Sequence, residues 1–334
     1  METKPETLEH SVIVVNHEPY CIWDVGLKNR NIEFIKTIDS EYFDYIAKIH
    51  ADKIDSPDDK RASVALRVAY HHALETLFSL IGAFVQAPEC VFAWMIQCKT
   101  NELKDFVGRI NRHDKEIFNK LNVDDITWES VASTVFAYYE PGSTENKKMI
   151  GSFGKLWERL ANAYLDEKNT SEYNSLKHGF RISPGGFALS VGIEHQYGVP
   201  PPAAEMQTIG GCKHGSAFYI LERVAKSRSL IAKQISLNWR IESVVTLLEL
   251  ISMSIQNIVS ALKLVNGLRD GIKFVVPEED DAFDKAWSYS AGVNNLCLSL
   301  ITDELVIPPT TKKELDEVTR KYLSDRQTGK HKHS

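Results

Sequence analysis

The chain has 334 residues, 43% hydrophobic and 25% charged, an ordinary globular balance with enough apolar mass for one large core or two smaller ones. A net charge of -6 and an isoelectric point near 6.0 argue against broad, sequence-independent binding of nucleic acid, while leaving room for a local basic patch. Five cysteines (Cys21, Cys90, Cys98, Cys212 and Cys297) with no Cys-x-x-Cys pair fit unpaired thiols in a reducing compartment better than a disulfide framework.

The N-terminus is polar and reads as no secretory signal, and residues 1–38 read as a segment with short strands. Stretches 11–15 and 31–35 have strand character and are expected to pair. Helices are expected at 40–51 and, after the start signal Asp55-Ser-Pro-Asp-Asp59, from 57 to 85. The latter ends before Gln86-Ala-Pro88, because the residue preceding proline avoids the α region. Further helices are expected at 89–98, 101–113, 127–138, 143–166 and 170–178, with Thr100 and Ser143 as caps and Gly179 as the last stop. Stretches 180–183 and 187–191 flank Pro184-Gly-Gly186 and read as a hairpin, with 216–221 as a third short strand. A long helix is expected over 227–268, another over 281–303, and a charged helix after Pro308-Pro309. The predicted fold class is therefore mainly α: a helical bundle over 39–325 with a small β-hairpin insertion at about 180–222 and a disordered tail at 326–334. Every long apolar run is broken by Glu, Gln, Asn or Ser, so no transmembrane helix is predicted, no membrane partner is expected, and the expected location is cytoplasmic.

Two polar islands interrupt the apolar helices. The first is Arg67-Val-Ala-Tyr70-His71-His72-Ala-Leu-Glu75. His71 falls on the apolar seam Val64, Val68, Leu74, Phe78, Ile81 and Val85. Arg67, His71 and Glu75 lie four apart and stack on one side, whereas His72 points about a quarter-turn away. Glu75 is expected to hydrogen-bond His71 and orient its imidazole, an arrangement used both for proton transfer and for structural core pairs. The second island is Tyr173-Asn174-Ser-Leu-Lys177-His178-Gly179, where Asn174 and His178 share a helix face. Lys177 and His178 also suit the negative end of a helix dipole, so the segment can equally serve as a charged cap. Buried polar groups need partners, and the two islands are expected to converge.

The Asn174-x-x-Lys177-His178-Gly179 segment resembles the HEPN superfamily motif, Arg-Asn-x-x-x-His, with Tyr173 standing where the motif has arginine. The resemblance covers about ten residues. It implies a helical bundle that binds RNA, a nucleotide or a protein partner, and a homodimer. Where such proteins are enzymes, they are metal-independent ribonucleases. The residues it puts forward for catalysis are His178 as general acid/base, Asn174 and Lys177 on the phosphate, and His71, His72 and Glu75 from the facing helix. Arg67, Tyr70, Tyr173 and Arg181 are the candidate binding residues. The alternatives are a non-catalytic helical scaffold and, more remotely, a metal-dependent hydrolase on His71, His72, Glu75 and His178. Cys212-Lys-His214 lacks a second cysteine at metal spacing, and Walker, G-x-G-x-x-G and G-x-S-x-G motifs are absent, so neither a metal nor a cofactor is expected.

Overall fold

The structure, a computed structural model, describes residues 10–13, 21–114, 125–223, 230–279, 281–288, 293–300 and 311–327. Strands β1 (His10–Ile13) and β2 (Cys21–Asp24) form an antiparallel ribbon, followed by α1 (Lys28–Thr37) and α2 (Tyr42–Ala51). The expected partner of the first strand, 31–35, is instead part of α1, where Asn31 and Ile35 are buried one helical turn apart. Residues 14 and 15 lie outside the described residues.

Helix α3 (Asp59–Gln86) starts two residues after the expected 57, with Asp58 rather than Ser56 at the cap position: the Ser56 hydroxyl accepts from the Asp58 N–H at 3.1 Å, and Asp59 accepts from the Asp55 N–H at 2.9 Å, so the signal residues form a turn ahead of the helix. It stops ahead of Pro88. Helices α4 (Val91–Gln97), α5 (Thr100–Asn111), α6 (Trp128–Val135), α7 (Thr144–Leu165) and α8 (Glu167–Lys177) follow close to their predicted places. Ser143 caps α7 as expected, accepting from the Asn146 N–H at 2.9 Å. Thr100 opens α5 rather than capping it; Lys99 holds the cap position, and its N–H donates to Glu102 at 2.6 Å.

The predicted mainly-α class is overturned beyond Gly179: among the described residues a four-stranded antiparallel sheet and a further two-stranded ribbon stand beside the helices, and the fold is mixed α/β. The Pro184-Gly-Gly186 segment is not a hairpin turn. Strand β3 (Ser183–Pro184) pairs with β6 (His214–Arg223), and β4 (Ala188–Val191) pairs with β5 (Gln207–Gly211) in a separate ribbon. The first ten residues of the expected 227–268 helix that are described form strand β7 (Leu230–Trp239), in register with β6 from His214↔Trp239 to Arg223↔Leu230. Helix α9 (Ile241–Val265) begins only after Arg240. The expected 281–303 helix shrinks to α10 (Ala282–Lys285), and Asn295–Leu300 forms strand β8, which completes an antiparallel sheet in the order β3-β6-β7-β8. The physical reason is period. Ile235, Leu237 and Trp239 are buried in alternation, and Leu recurs at 296, 298 and 300, so both segments present one face every second residue. Helix α11 (Lys312–Gln327) is the predicted charged helix and takes in residues 326 and 327 of the predicted 326–334 tail, which continue its hydrogen-bonded turns; residues 328–334 lie outside the described residues.

Helices α3 and α9 pack against each other at the centre, with α2, α4, α5 and α7 around α3. Trp94, Trp157, Phe78, Phe136 and Phe153 are fully buried in the interior, and Phe218 brings the sheet's inner face against the helices. The indoles are fixed by their N–H groups: Trp94 donates to Gln86 Oε1 at 2.9 Å and Trp157 to Ser254 Oγ at 3.0 Å. By length and composition α3 and α9 could each cross a membrane, but about 72% of each apolar window is buried inside this protein.

Candidate functional site

Helix α8 lies between α3 and the sheet, and its inward face carries Asn169, Glu172 and Leu176 at helical spacing. Its N-terminus is fixed by Asp166, which accepts from the Asn169 N–H at 2.9 Å. Glu172 has no solvent exposure. Burying a carboxylate is affordable only when its lone pairs are taken, and here they are. Oε2 accepts from Arg67 Nε at 2.9 Å and Nη2 at 2.7 Å, and from His71 Nε2 at 3.0 Å. Oε1 accepts from Ser216 Oγ at 2.5 Å and Trp239 Nε1 at 2.9 Å. Arg67 also donates to Asn169 Oδ1 at 2.8 Å and lies over the Tyr70 ring at 5.0 Å. One carboxylate thus joins α3, α8, β6 and β7.

Burial alone would push the Glu172 carboxyl up. The Arg67 guanidinium and the hydrogen bonds from His71 and Ser216 outweigh it and hold the group far below the usual carboxylate range. An ionised carboxylate only accepts, so His71 Nε2 carries the proton in this contact. Burial and the Arg67 charge both lower the His71 pKa against the opposing pull of Glu172, so the ring is neutral. The linkage sign is the same for both groups. Each binds its proton less readily folded than unfolded, so each contributes stability that is present above its ordinary pKa and lost as pH falls below it. His71 therefore acts below about 6.5 and Glu172 below about 4.5. The melting temperature is expected to fall between pH 7 and pH 5, and His71→Gln, which keeps a donor but does not titrate, is expected to flatten that fall. Equal slopes in the two proteins would show that His71 is not held neutral.

On the outer side of this cluster, α3, α5, α7 and α8 enclose a cleft of about 200 Å³. His71 and Glu75 reach it from α3, and Tyr173, Asn174, Lys177 and His178 from α8, so the two polar islands meet as expected. The expected His71–Glu75 pair is not what joins them. His71 is committed to Glu172, while Glu75 accepts from the Tyr173 hydroxyl at 2.8 Å and lies 3.9 Å from Lys177 Nζ. The Tyr173 ring stacks on His71 at 5.2 Å with Lys177 Nζ 5.4 Å from its centroid. Lys104, half-buried and with its pKa lowered by burial, donates to Thr170 Oγ1 at 2.6 Å in the same wall. The Tyr164 hydroxyl is buried beside them and makes no hydrogen bond with a described residue.

His72 is not in this cleft. It is exposed, meets the Phe43 ring edge-on at 5.4 Å, and lines a second cavity on the other side of α3. Arg67 and Tyr70 are buried in the carboxylate cluster and do not line the cleft; Arg181 is exposed and lies outside it, its N–H donating to Ser175 O at 2.7 Å. The residues missed by sequence reasoning are Glu172, Asn169, Lys104, Ser216 and Trp239. A glutamate on a short polar helix reads as solvated; the signal was the Asn169–Glu172–Leu176 spacing, which marks an inward face with a charge at its middle. His214 of the Cys212-Lys-His214 segment is engaged with Asp59 at 3.0 Å, and among the described residues no group of three or more His, Cys, Asp or Glu side chains could hold a metal ion.

The fold and the site together define a mixed α/β protein with a cation-bearing cleft set against a buried, fully bonded carboxylate. No family model, curated protein or solved structure matches the chain.

Proposed function

We propose that the protein binds RNA or a nucleotide, holding one phosphate and its sugar in the cleft between α3, α5 and α8. The observation that carries this reading is the convergence of Lys104, Lys177 and His178 on one cleft, with Asn101, Asn169 and Asn174 beside them. Two lysines and several side-chain amides around one space suit an anionic ligand with a polar body. Size narrows the class. At about 200 Å³ the cleft is below the roughly 300–1,000 Å³ typical of sites that engulf a whole ligand, which favours one unit of a single strand over a helix. The net charge of -6 makes binding depend on this local patch.

The HEPN resemblance of Asn174, Lys177 and His178 supports taking the reading a step further, to metal-independent cleavage. In such a step the ribose 2′-hydroxyl attacks the neighbouring phosphorus, its proton passes to a base, and the 5′-oxygen leaves with a proton from an acid. His178 and Glu75, both in the cleft, are the groups able to exchange those protons, while Lys177 and Asn174 hold the phosphate. The scaffold alternative has its own support in the Glu172 cluster, which fixes helix and sheet register without needing a ligand.

Fluorescence anisotropy with a short labelled single-stranded RNA, in chelator, tests the binding. Lys177→Ala and His178→Ala should each weaken it by about tenfold, the scale of a lost charge-assisted contact, with melting temperatures close to wild type. No RNA binding by wild type, or binding untouched by both substitutions, sinks the reading. Cleavage of the same RNA by wild type and not by His178→Ala supports the catalytic step; equal cleavage by both removes His178 from it.

A further inference from the structure

The cavity on the opposite side of α3 is larger, about 460 Å³, and of different chemistry. Its walls are Phe43 and Ile46 from α2, Val64 and Val68 from α3, and Phe180 and Pro184 from the chain leaving α8. Its mouth carries His50, Lys60, Arg61 and His72, and no carboxylate is among its lining residues. Arg61 is paired with exposed Asp58 at 3.0 Å; Lys60 makes no ion pair with a described residue. We infer that this cavity binds a single-chain amphipathic carboxylic acid of fatty-acid type, its apolar chain between α2 and α3 and its carboxylate on Lys60 and Arg61.

Three observations converge on that ligand. The volume lies in the range of sites that enclose a small molecule. The lining carries basic side chains at the mouth and an apolar interior, and although Asp58 pairs with Arg61, Lys60 keeps a charge for an anion carrying one apolar tail. Phe180 closes the argument. It has φ 55°, a left-handed backbone that a bulky side chain adopts only under strain, and it is 57% exposed beside apolar walls. Gly179 before it, at φ 95°, makes the sharp exit from α8 that sets Phe180 there. A strained, water-exposed aromatic next to an apolar cavity gains cover when a chain lies beneath it.

Titration calorimetry with dodecanoate and with dodecanol, below their aggregation limits, tests the inference. Dodecanoate is expected to bind one to one, and dodecanol about tenfold or more weaker, because it lacks the charged head. Lys60→Glu with Arg61→Glu, both at exposed positions that leave the core intact, is expected to bring dodecanoate down to the dodecanol level. Val68→Trp, which fills the cavity, is expected to abolish both. Absence of saturable binding, equal affinity for acid and alcohol, or binding that survives Val68→Trp in a protein with a normal circular dichroism spectrum overturns it. So does capture by anionic phospholipid vesicles that dodecanoate fails to displace, which would assign the basic mouth to a membrane surface.

Discussion

Glu172→Ala is expected to destabilise the fold by about 3–5 kcal/mol, the scale for removing one member of a buried ion pair. The cost does not come from the lost side-chain volume. It comes from what is left behind: a buried Arg67 side chain with no counter-charge, and donors on the buried His71, Ser216 and Trp239. Glu75 provides the comparison. Its side chain is 23% exposed, its cation partner is 3.9 Å away and it accepts one hydrogen bond, from the Tyr173 hydroxyl, so Glu75→Ala should cost about 1–2 kcal/mol. Urea denaturation followed by linear extrapolation separates the two. Comparable losses in both variants would mean that the Glu172 cluster does not hold α8 to the sheet.

The second large effect is expected at Gly215, one residue before the Ser216 that bonds Glu172. A Cβ there would run into the Leu237 carbonyl oxygen and lie 2.9 Å from Gly186 Cα and 3.1 Å from Gly185 O. All three are backbone, so no side chain can swing away. Gly185 N–H is itself bonded to Gly215 O at 2.8 Å, which closes the other escape. Against this stands the modest preference of a strand for any residue over glycine, at most about 1 kcal/mol. The overpacking cost, about 1–3 kcal/mol or more, wins. Gly215→Ala should lower stability by at least that amount and change the near-ultraviolet signal of Trp239, because moving β6 draws Ser216 off the carboxylate that Trp239 shares. A stability equal to wild type would show that the crossing at 185–186 yields easily.

Most of the helical half was legible because its punctuation is local. Proline before α4, serine before α7 and the acidic start of α3 act within one turn, and a sequence reports such signals directly. The sheet was not legible for two physical reasons. Only Arg240 separates β7 from α9, so two apolar segments of different period ran together as one helical stretch. The Pro184-Gly-Gly186 segment has turn chemistry, but the choice of partner for the flanking strands rests on residues 216–217 and 207–211, which local chemistry does not name. The site divided along the same line. His71, Glu75, Tyr173, Asn174, Lys177 and His178 stood out because they broke a helical pattern, and they share the cleft. Glu172 did not stand out, since its burial depends on Arg67 and Trp239, residues 105 and 67 positions away.

His71 and His72 are neighbours in the chain, yet each belongs to a different chamber. One residue of α-helix turns about 100°, enough to send consecutive side chains to opposite sides of a wall one helix thick. Because His71 is bonded to Glu172, α3 is not free to roll and exchange them. Helix α3 is in this sense a partition with its two faces written in alternate letters of one word. Changing a letter at 72 alters the chemistry of the apolar chamber alone, so the two chambers are free to diverge in specificity under separate selection while sharing one supporting helix.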